Sequence, residues 1–151
     1  MKSLLYILIV ILMGRCGPEM KEERKYHYKI VNQSGYQLKL VPYVEGQVEH
    51  ENSIILENNQ FIEKKQTSFA GGFGLTMMNF FNKTYVGNIT HLEIIFDNQK
   101  KIIYEECNPN NNCNAQPRNI FNSLYNNELT ETYTITPEDY QNAVDCGGNC
   151  Y

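Results

Sequence analysis

Five cysteines offer the most distinctive chemistry in this chain of 151 residues. Four of them fall into two local pairs, Cys107 with Cys113 and Cys146 with Cys150, while Cys16 stands alone near the N-terminus. Thiols oxidise to disulfides in an exported protein, and four thiolates in two pairs are also able to hold a zinc ion. The sequence therefore raises two questions: what the four clustered cysteines form, and what the fifth one does.

Disulfides are the chemistry that the four clustered cysteines favour. Structural zinc sites space each ligand pair by about two to four residues, whereas five residues separate Cys107 from Cys113. Four cysteines allow three connectivities. Local pairing is the simplest, and two glycines between Cys146 and Cys150 permit the tight backbone that such a bridge needs. We expect two structural disulfides and no metal.

The other residues able to do chemistry show no catalytic spacing. His27, His50 and His91 form neither an H-x-H nor an H-E-x-x-H motif, and we expect them to be solvated surface residues. No serine lies in a G-x-S-x-G setting, and no pair of carboxylates stands out as an acid and a base. We expect no enzyme and no cofactor; a hydrolytic enzyme without a recognisable motif is an alternative.

Residues 1–15 read MKSLLYILIVILMGR and have the layout of a signal peptide. Lys2 precedes an unbroken apolar run over residues 4–13, which is about half of the roughly 20 residues that a membrane-spanning helix needs. The general signal peptidase cleaves after small residues of the Ala-x-Ala kind, yet the first alanine of the chain is Ala70. We therefore expect another processing route to remove this segment.

The residues around Cys16 suggest that route. Met13-Gly14-Arg15-Cys16 resembles a bacterial lipobox, although a leucine and a small residue are usual where Met13 and Arg15 stand. The resemblance implies that Cys16 is acylated on sulfur and becomes the mature N-terminus, so that acyl chains attach the protein to the membrane. The alternative for Cys16 is a free or disulfide-bonded thiol.

Residues 16–25 are charged and lack hydrophobic periodicity, which predicts a flexible tether. Lys21, Glu22 and Glu23 resemble the lysine and acidic pair that direct many Bacteroidota lipoproteins to the outer face of the outer membrane. This resemblance implies a protein of the bacterial cell envelope, anchored in the outer membrane and exposed at the surface. An ordinary charged linker is the alternative.

The charge balance excludes nucleic acid as an expected partner. Removal of residues 1–15 takes away Lys2 and Arg15, so that 13 basic residues fall to 11 against 17 acidic ones, a formal charge of −6. Such a chain repels phosphate backbones and anionic membrane faces. Membrane attachment must therefore come from the acyl chains on Cys16.

Residues 26–151 predict a single β-rich domain, because short runs of alternating apolar and polar residues are separated by clusters of turn-forming residues. We expect three hairpins, formed by residues 26–30 with 36–40, 52–57 with 61–64, and 91–96 with 101–104. Residues 71–81, GGFGLTMMNFF, fit either a buried strand or a loop with an apolar tip. The pattern predicts an all-β, mainly antiparallel fold.

Helical signals are confined to the last third of the chain. Residues 118–125, RNIFNSLY, predict a couple of helical turns with the apolar side chains on one face. Residues 132–135 then alternate as a strand. Thr136 as N-cap and Pro137 at the first helical position predict a short helix that continues to Ala143.

Two stretches resemble a domain type that is common among small Bacteroidota lipoproteins. One is an early strand with an N-x-S-G turn, here residues 32–35, and the other is the ending YTITPEDY, residues 133–140. The likeness extends in layout over most of residues 26–145. It implies a β-sandwich-like fold with one or two short helices in the C-terminal third, and it carries over no activity.

The eleven tyrosines invite a carbohydrate-binding interpretation, since aromatic rings stack on sugar faces. Tyr26 and Tyr28 share the apolar side of the first predicted strand, however, which favours packing in the core or at the sheet edge; Tyr36 in the next strand follows the same pattern. Candidates for exposed contacts lie nearer strand ends and loops: Tyr43, Tyr85 and Tyr125.

Together these expectations describe a lipid-anchored, extracytoplasmic protein that acts as a non-catalytic binding module for a protein or glycan ligand. An accessory or inhibitory component of an envelope protein complex is the alternative. A flat apolar patch around residues 71–81 would favour a protein partner.

Overall fold

The computed structural model describes residues 22–69, 74–81, 88–107 and 113–150. The expected signal peptide, residues 1–15, and the expected lipidation site Cys16 lie outside these residues. Nine strands are assigned within the described ranges: β1 Glu23–Asn32, β2 Leu38–Val44, β3 Gln47–Val48, β4 Ile54–Leu56, β5 Phe61–Phe69, β6 Ile89–Phe96, β7 Lys100–Glu105, β8 Thr130–Ile135 and β9 Val144–Asp145. The α-helix is α1, Pro137–Asn142, and four short 3-10 turns are His50–Asn52, Met77–Phe80, Cys113–Ala115 and Ser123–Tyr125.

The strands form two sheets that pack as a β-sandwich, which confirms the predicted all-β class. The smaller sheet has the order β5-β1-β8. The larger sheet has the order β3-β2-β6-β7-β9, with β4 also paired to β2. The strand pairs are antiparallel apart from β1 and β8, which run parallel.

The core lies between the two sheets and takes one side of each long strand. From the smaller sheet it includes Tyr28, Ile30 and Tyr133, and from the larger sheet Leu40 and Ile94. Each of these side chains is almost wholly buried. The alternation in the sequence therefore identified the inward faces correctly, because successive side chains of a strand point to opposite sides.

The first two predicted hairpins are wrong, because their strands lie in different sheets. β1 pairs with β5 and β8, whereas β2 and β4 belong to the larger sheet. Residues 33–37 and 57–60 are therefore crossovers between sheets. Alternation shows which face of a strand is buried but not which strand lies beside it, and a crossover satisfies the same pattern as a hairpin.

Asn32 joins the two crossovers. Its side chain is buried, and its Nδ2 donates hydrogen bonds to the carbonyl oxygens of Tyr36 at 2.7 Å and Leu56 at 2.9 Å. Its Oδ1 accepts hydrogen bonds from the backbone N–H of Ser34 at 3.0 Å and from the Ser34 hydroxyl at 2.7 Å. The turn ends at Gly35, whose φ of 91° lies in the left-handed region that favours glycine.

The third predicted hairpin is confirmed. β6 and β7 pair in register from His91 opposite Glu105 to Phe96 opposite Lys100. The turn between them places Asp97 and Asn98 at φ values of 47° and 56°. Asp and Asn tolerate this left-handed conformation, which matches the twist of a tight hairpin.

Residues 118–125 do not form the predicted helical turns. Only Ser123–Tyr125 is a short 3-10 turn, and Leu124 is exposed. The side-chain oxygens of Asn119 and Asn122 each accept a hydrogen bond from the backbone N–H two residues later. Asparagine side chains thus compete with the backbone bonds of a helix, and this competition won over the apolar spacing.

The predicted strand at 132–135 and the predicted helix after it are both confirmed, as β8 and α1. Asp139 accepts a hydrogen bond from the backbone N–H of Thr136 at 2.7 Å, which caps the helix. Arg118 donates to the same carboxylate from Nε at 2.9 Å and from Nη2 at 2.5 Å. The Tyr140 ring stacks on Tyr36 with centroids 3.8 Å apart, so that α1 covers one end of the core.

Candidate functional site

The four clustered cysteines form two local disulfides, Cys107–Cys113 and Cys146–Cys150, with Cα atoms 5.2 Å and 5.1 Å apart. Both pairs are those that the sequence favours on grounds of proximity. These distances lie within the range that a disulfide bridges without backbone movement.

The C-terminal disulfide loop, residues 146–150, lies on the outer face of the larger sheet. Cys150 is buried there against Val41 and Ile95. The loop is bonded to the β6–β7 turn, where Asn98 Nδ2 donates to the carbonyl oxygen of Gly148 at 2.7 Å. The backbone N–H of Cys146 donates to the carbonyl oxygen of Gln99 at 2.8 Å. The loop therefore covers part of an apolar surface that would otherwise face solvent.

Four aliphatic side chains on the same outer face remain exposed. Strand register places Val48 opposite Tyr43, Ile55 opposite Lys39, Ile103 opposite Glu93, and Val144 opposite Lys101. Their exposed fractions are 37% for Val48, 59% for Ile55, 49% for Ile103 and 72% for Val144. We call the surface formed by these four side chains, Tyr43, His91, Glu93 and Lys101 the aliphatic face.

An ion pair lies at the centre of the aliphatic face. Lys101 Nζ is 2.8 Å from Glu93 Oε1, and the Glu93 side chain is only 6% exposed. The Tyr43 ring stacks on the His91 ring with centroids 4.0 Å apart. Burial, followed by the negative charge of Glu93, raises the pKa of Tyr43 above its ordinary value.

A depression of about 430 Å³ lies at one end of this sheet face. It is lined by Gln37, Lys39, Ile55, Ile95, Asp97 and Asn98. Its lining combines aliphatic side chains with amides and one charge of each sign. Such a lining suits an amphipathic side chain of a partner.

The three histidines lie apart from one another. His27 Nε2 is 2.8 Å from Glu63 Oε2 on the outer face of the smaller sheet, and hydrogen bonds from His27 and then Lys65 lower the pKa of Glu63. His50 is exposed, whereas His91 is stacked on Tyr43 and only partly solvated. Within the described ranges, no group of three or more His, Cys, Asp or Glu residues is placed to hold a metal ion.

The tyrosines mostly pack inward, as the sequence indicated for the first strands. Tyr28 is buried, and Tyr26 and Tyr36 pack against the core. Tyr43 and Tyr125 are half-buried, and Tyr85 lies outside the described residues. No row of exposed tyrosines runs over the part of the chain that the structure describes.

Residues 74–81, the described part of the glycine-rich apolar stretch, do not form an exposed patch. Leu75, Met77 and Phe81 are buried in the core. Residues 71–73 of the same stretch lie outside the described residues.

No protein-family model, curated protein or solved structure matches this chain. Among the described residues, no helix has the length and apolar character needed to cross a membrane.

The sequence analysis did not predict the aliphatic face, although the sequence contains a pattern that indicates it. Three pairs of adjacent isoleucines occur in strands: residues 54–55, 94–95 and 102–103. Because neighbouring side chains of a strand point to opposite faces, each pair must place one isoleucine on the outer face of the sheet. Three apolar residues on the supposed solvent side of one sheet indicate that this side is covered or binds something.

Proposed function

We propose that this protein is a lipid-anchored, extracytoplasmic, non-catalytic module that binds a protein partner through the aliphatic face. Cys16 carries the acyl chains, and the charged residues between it and β1 hold the domain away from the membrane. This tether is shorter than the predicted range 16–25, because residues 23–25 belong to β1 and pair with β5. The observation that carries the proposal is the grouping of Val48, Ile55, Ile103 and Val144, all exposed, on one face of one sheet.

The chemistry of this face suits a protein interface. Burial of an isoleucine side chain contributes about 1.5–3 kcal/mol, so a partner that covers Ile55 and Ile103 gains binding energy from both. The pair formed by Glu93 and Lys101 offers a fixed charge arrangement at the centre, which orients a partner. Protein interfaces typically combine buried apolar anchors with polar groups, and the exposed aliphatic side chains of this face supply such anchors.

A glycan is a poorer fit to the same face. Sugar rings bind on exposed aromatic planes, whereas the exposed anchors here are aliphatic. The tyrosine ring on this face is Tyr43, which is half-buried and has one side stacked on His91 at 4.0 Å between ring centroids. The two disulfides support an oxidising exterior as the place of function. A protein subunit of an envelope complex could also cover the exposed aliphatic side chains of this face.

Site-specific photo-crosslinking tests the partner face. A photo-reactive amino acid in place of Ile103 or Ile55 is expected to give one discrete crosslinked species in cells of the organism that produces this protein. The same amino acid at Thr132, which is exposed on the outer face of the smaller sheet, serves as the matched control and is expected to give none.

An Ile55→Asp substitution is expected to abolish the crosslink from Ile103, because a charge would be buried in the interface. Equal crosslinking from Thr132 and Ile103, or none from either isoleucine in cells, would refute the aliphatic face as the binding surface. The identity of the crosslinked species decides whether the partner belongs to an envelope complex.

The intact mass of the membrane-fraction protein tests the anchor. We expect a mature chain that begins at residue 16 and is heavier by its acyl groups. A Cys16→Ser variant is expected to lose both the added mass and membrane attachment. A soluble, unacylated wild-type chain would contradict the lipid anchor and leave the binding face to be tested by itself.

A further inference from the structure

We propose that β5 is a self-association edge, through which two copies of this chain pair antiparallel about a two-fold axis at Lys64. This interaction uses the smaller sheet and is separate from the aliphatic face. β5 is the longest sheet edge in the described residues, with nine residues, and no described strand pairs along its outer side.

The phase of the backbone hydrogen bonds shows which groups of β5 face outward. The backbone N–H of Asn32 donates to the carbonyl oxygen of Gln60 at 2.9 Å, whereas that of His27 donates toward β8, to Leu129 at 2.8 Å. Even-numbered residues of β1 therefore bond to β5, and their register partners in β5 are also even-numbered. Directions alternate along a strand, so the N–H and C=O groups of Phe61, Glu63, Lys65 and Thr67 point away from β1.

The charges along this edge complement themselves in one arrangement. Glu63 and Lys65 lie on the same face of β5, on either side of Lys64. Antiparallel pairing about Lys64 places Glu63 of each copy opposite Lys65 of the other, and Phe61 opposite Thr67. Opposite charges facing each other across strands stabilise pairing, and like charges oppose it. Parallel in-register pairing would place Glu63 against Glu63 and is disfavoured.

Lys64 itself does not prevent this pairing. Its side chain points to the inner side of the sheet, and its Nζ donates a hydrogen bond to the carbonyl oxygen of Asn79 in the same copy. Two Lys64 ammonium groups are therefore directed away from the two-fold axis, each toward its own core.

The other edges are less suited to pairing. β3 and β9, at the ends of the larger sheet, have two residues each. The outer side of β8 is partly occupied, since Arg118 Nη2 donates to the carbonyl oxygen of Thr134 at 2.7 Å. Short or occupied edges protect a sheet against pairing, and so do lysines on an edge. In β5 the outward lysine is Lys65, and the proposed arrangement places it opposite Glu63 of the other copy.

Co-purification of two differently tagged, full-length copies from detergent-solubilised membranes tests the proposal. Wild-type copies are expected to co-purify. Copies that both carry Glu63→Lys, or both carry Lys65→Glu, are expected to lose co-purification about tenfold, because each opposed pair then has like charges.

The decisive experiment tests co-purification between a Glu63→Lys copy and a Lys65→Glu copy. A Glu63→Lys copy paired with a Lys65→Glu copy has unlike charges at both positions and is expected to regain co-purification. Lys25→Glu, a charge reversal on the same face of the central strand β1, is the matched control and is expected to leave co-purification unchanged. Thermal unfolding of each variant checks that the fold is retained.

Four outcomes would overturn the inference. Wild-type copies that fail to co-purify, or a mixed pair that stays apart, would exclude the edge interaction. A Lys25→Glu effect equal to that of Lys65→Glu would indicate charge attraction without strand pairing. If Lys65→Gln strengthens co-purification, the two Lys65 residues must face each other in the wild-type pair. That result would exclude a two-fold axis at Lys64.

Discussion

Asn32 shows how one residue determines the path of the chain between sheets. A buried amide must find partners for its donors and acceptor, because an unpaired polar group in the core costs about 1–3 kcal/mol. Asn32 meets this requirement by bonding to Ser34 and Tyr36 in the first crossover and to Leu56 at the end of β4, where the second crossover begins. The N-x-S-G sequence therefore has a structural role in this fold, which is to hold the two crossovers together.

Replacement of Asn32 by Asp is expected to lower the free energy of unfolding by about 2–4 kcal/mol, since the carboxylate cannot donate to Tyr36 and Leu56 and would be buried with its charge. Urea unfolding monitored by circular dichroism measures the loss. The matched control is Asn58→Asp, because Asn58 is exposed and its Oδ1 only accepts a hydrogen bond from Gly35. Equal losses at both positions would contradict the role of Asn32 as the joint between crossovers.

The β6–β7 hairpin and the C-terminal disulfide loop stabilise each other's positions. Asn98 in the hairpin turn bonds to Gly148, and Cys150 covers Val41 and Ile95 on the sheet. A loop of only five residues has little hydrophobic area of its own, so its position on the sheet depends on the disulfide and on these bonds. The loop thereby limits how much of the larger sheet is available to a partner.

Removal of the C-terminal disulfide by Cys146→Ser and Cys150→Ser together is expected to lower the free energy of unfolding by about 2 kcal/mol, from the loop entropy that the bond removes. Hydrogen exchange should show faster exchange at the backbone N–H of residue 146 and in the β6–β7 turn, while β1 and β8 remain protected. Unchanged exchange in the turn would show that the loop holds its place without the disulfide.

At the scale of the whole molecule, the two sheets share one core. Tyr28 and Tyr133 from the smaller sheet pack in the same cluster as Leu40 and Ile94 from the larger one. Because neither sheet can bury its inner face alone, the sandwich should unfold as one cooperative unit. Two distinct outer faces then remain, an aliphatic one and one rich in charged residues and threonine.

Ile94→Ala is expected to cost about 2–5 kcal/mol through lost burial and the cavity left behind. The loss should shift the unfolding transitions of both sheets together, so that far-ultraviolet circular dichroism and tyrosine fluorescence report the same midpoint. Separate midpoints for the two probes would mean that the sheets unfold independently and that the shared core contributes little.

The sequence alone was sufficient for much of this architecture. Alternation identified the buried sides of β1, β2, β6 and β8, because the geometry of a strand fixes side-chain direction locally. The residues that begin α1 and the two local disulfides were also readable, since caps and short loops depend on near neighbours. The proposed lipid anchor at Cys16 depends on the sequence alone.

Only the tertiary structure decided which strands are neighbours. β1 joins β5 and β8, and β2 joins β6, because the pairing of distant strands is set by how two sheets bury a common core, and no local pattern records that choice. The same choice brought Ile55, Ile103 and Val144 onto one face and left the outer side of β5 without a described neighbour. A surface made from separate strands exists only after the strands are ordered, and for this reason both proposed binding surfaces had to come from the fold.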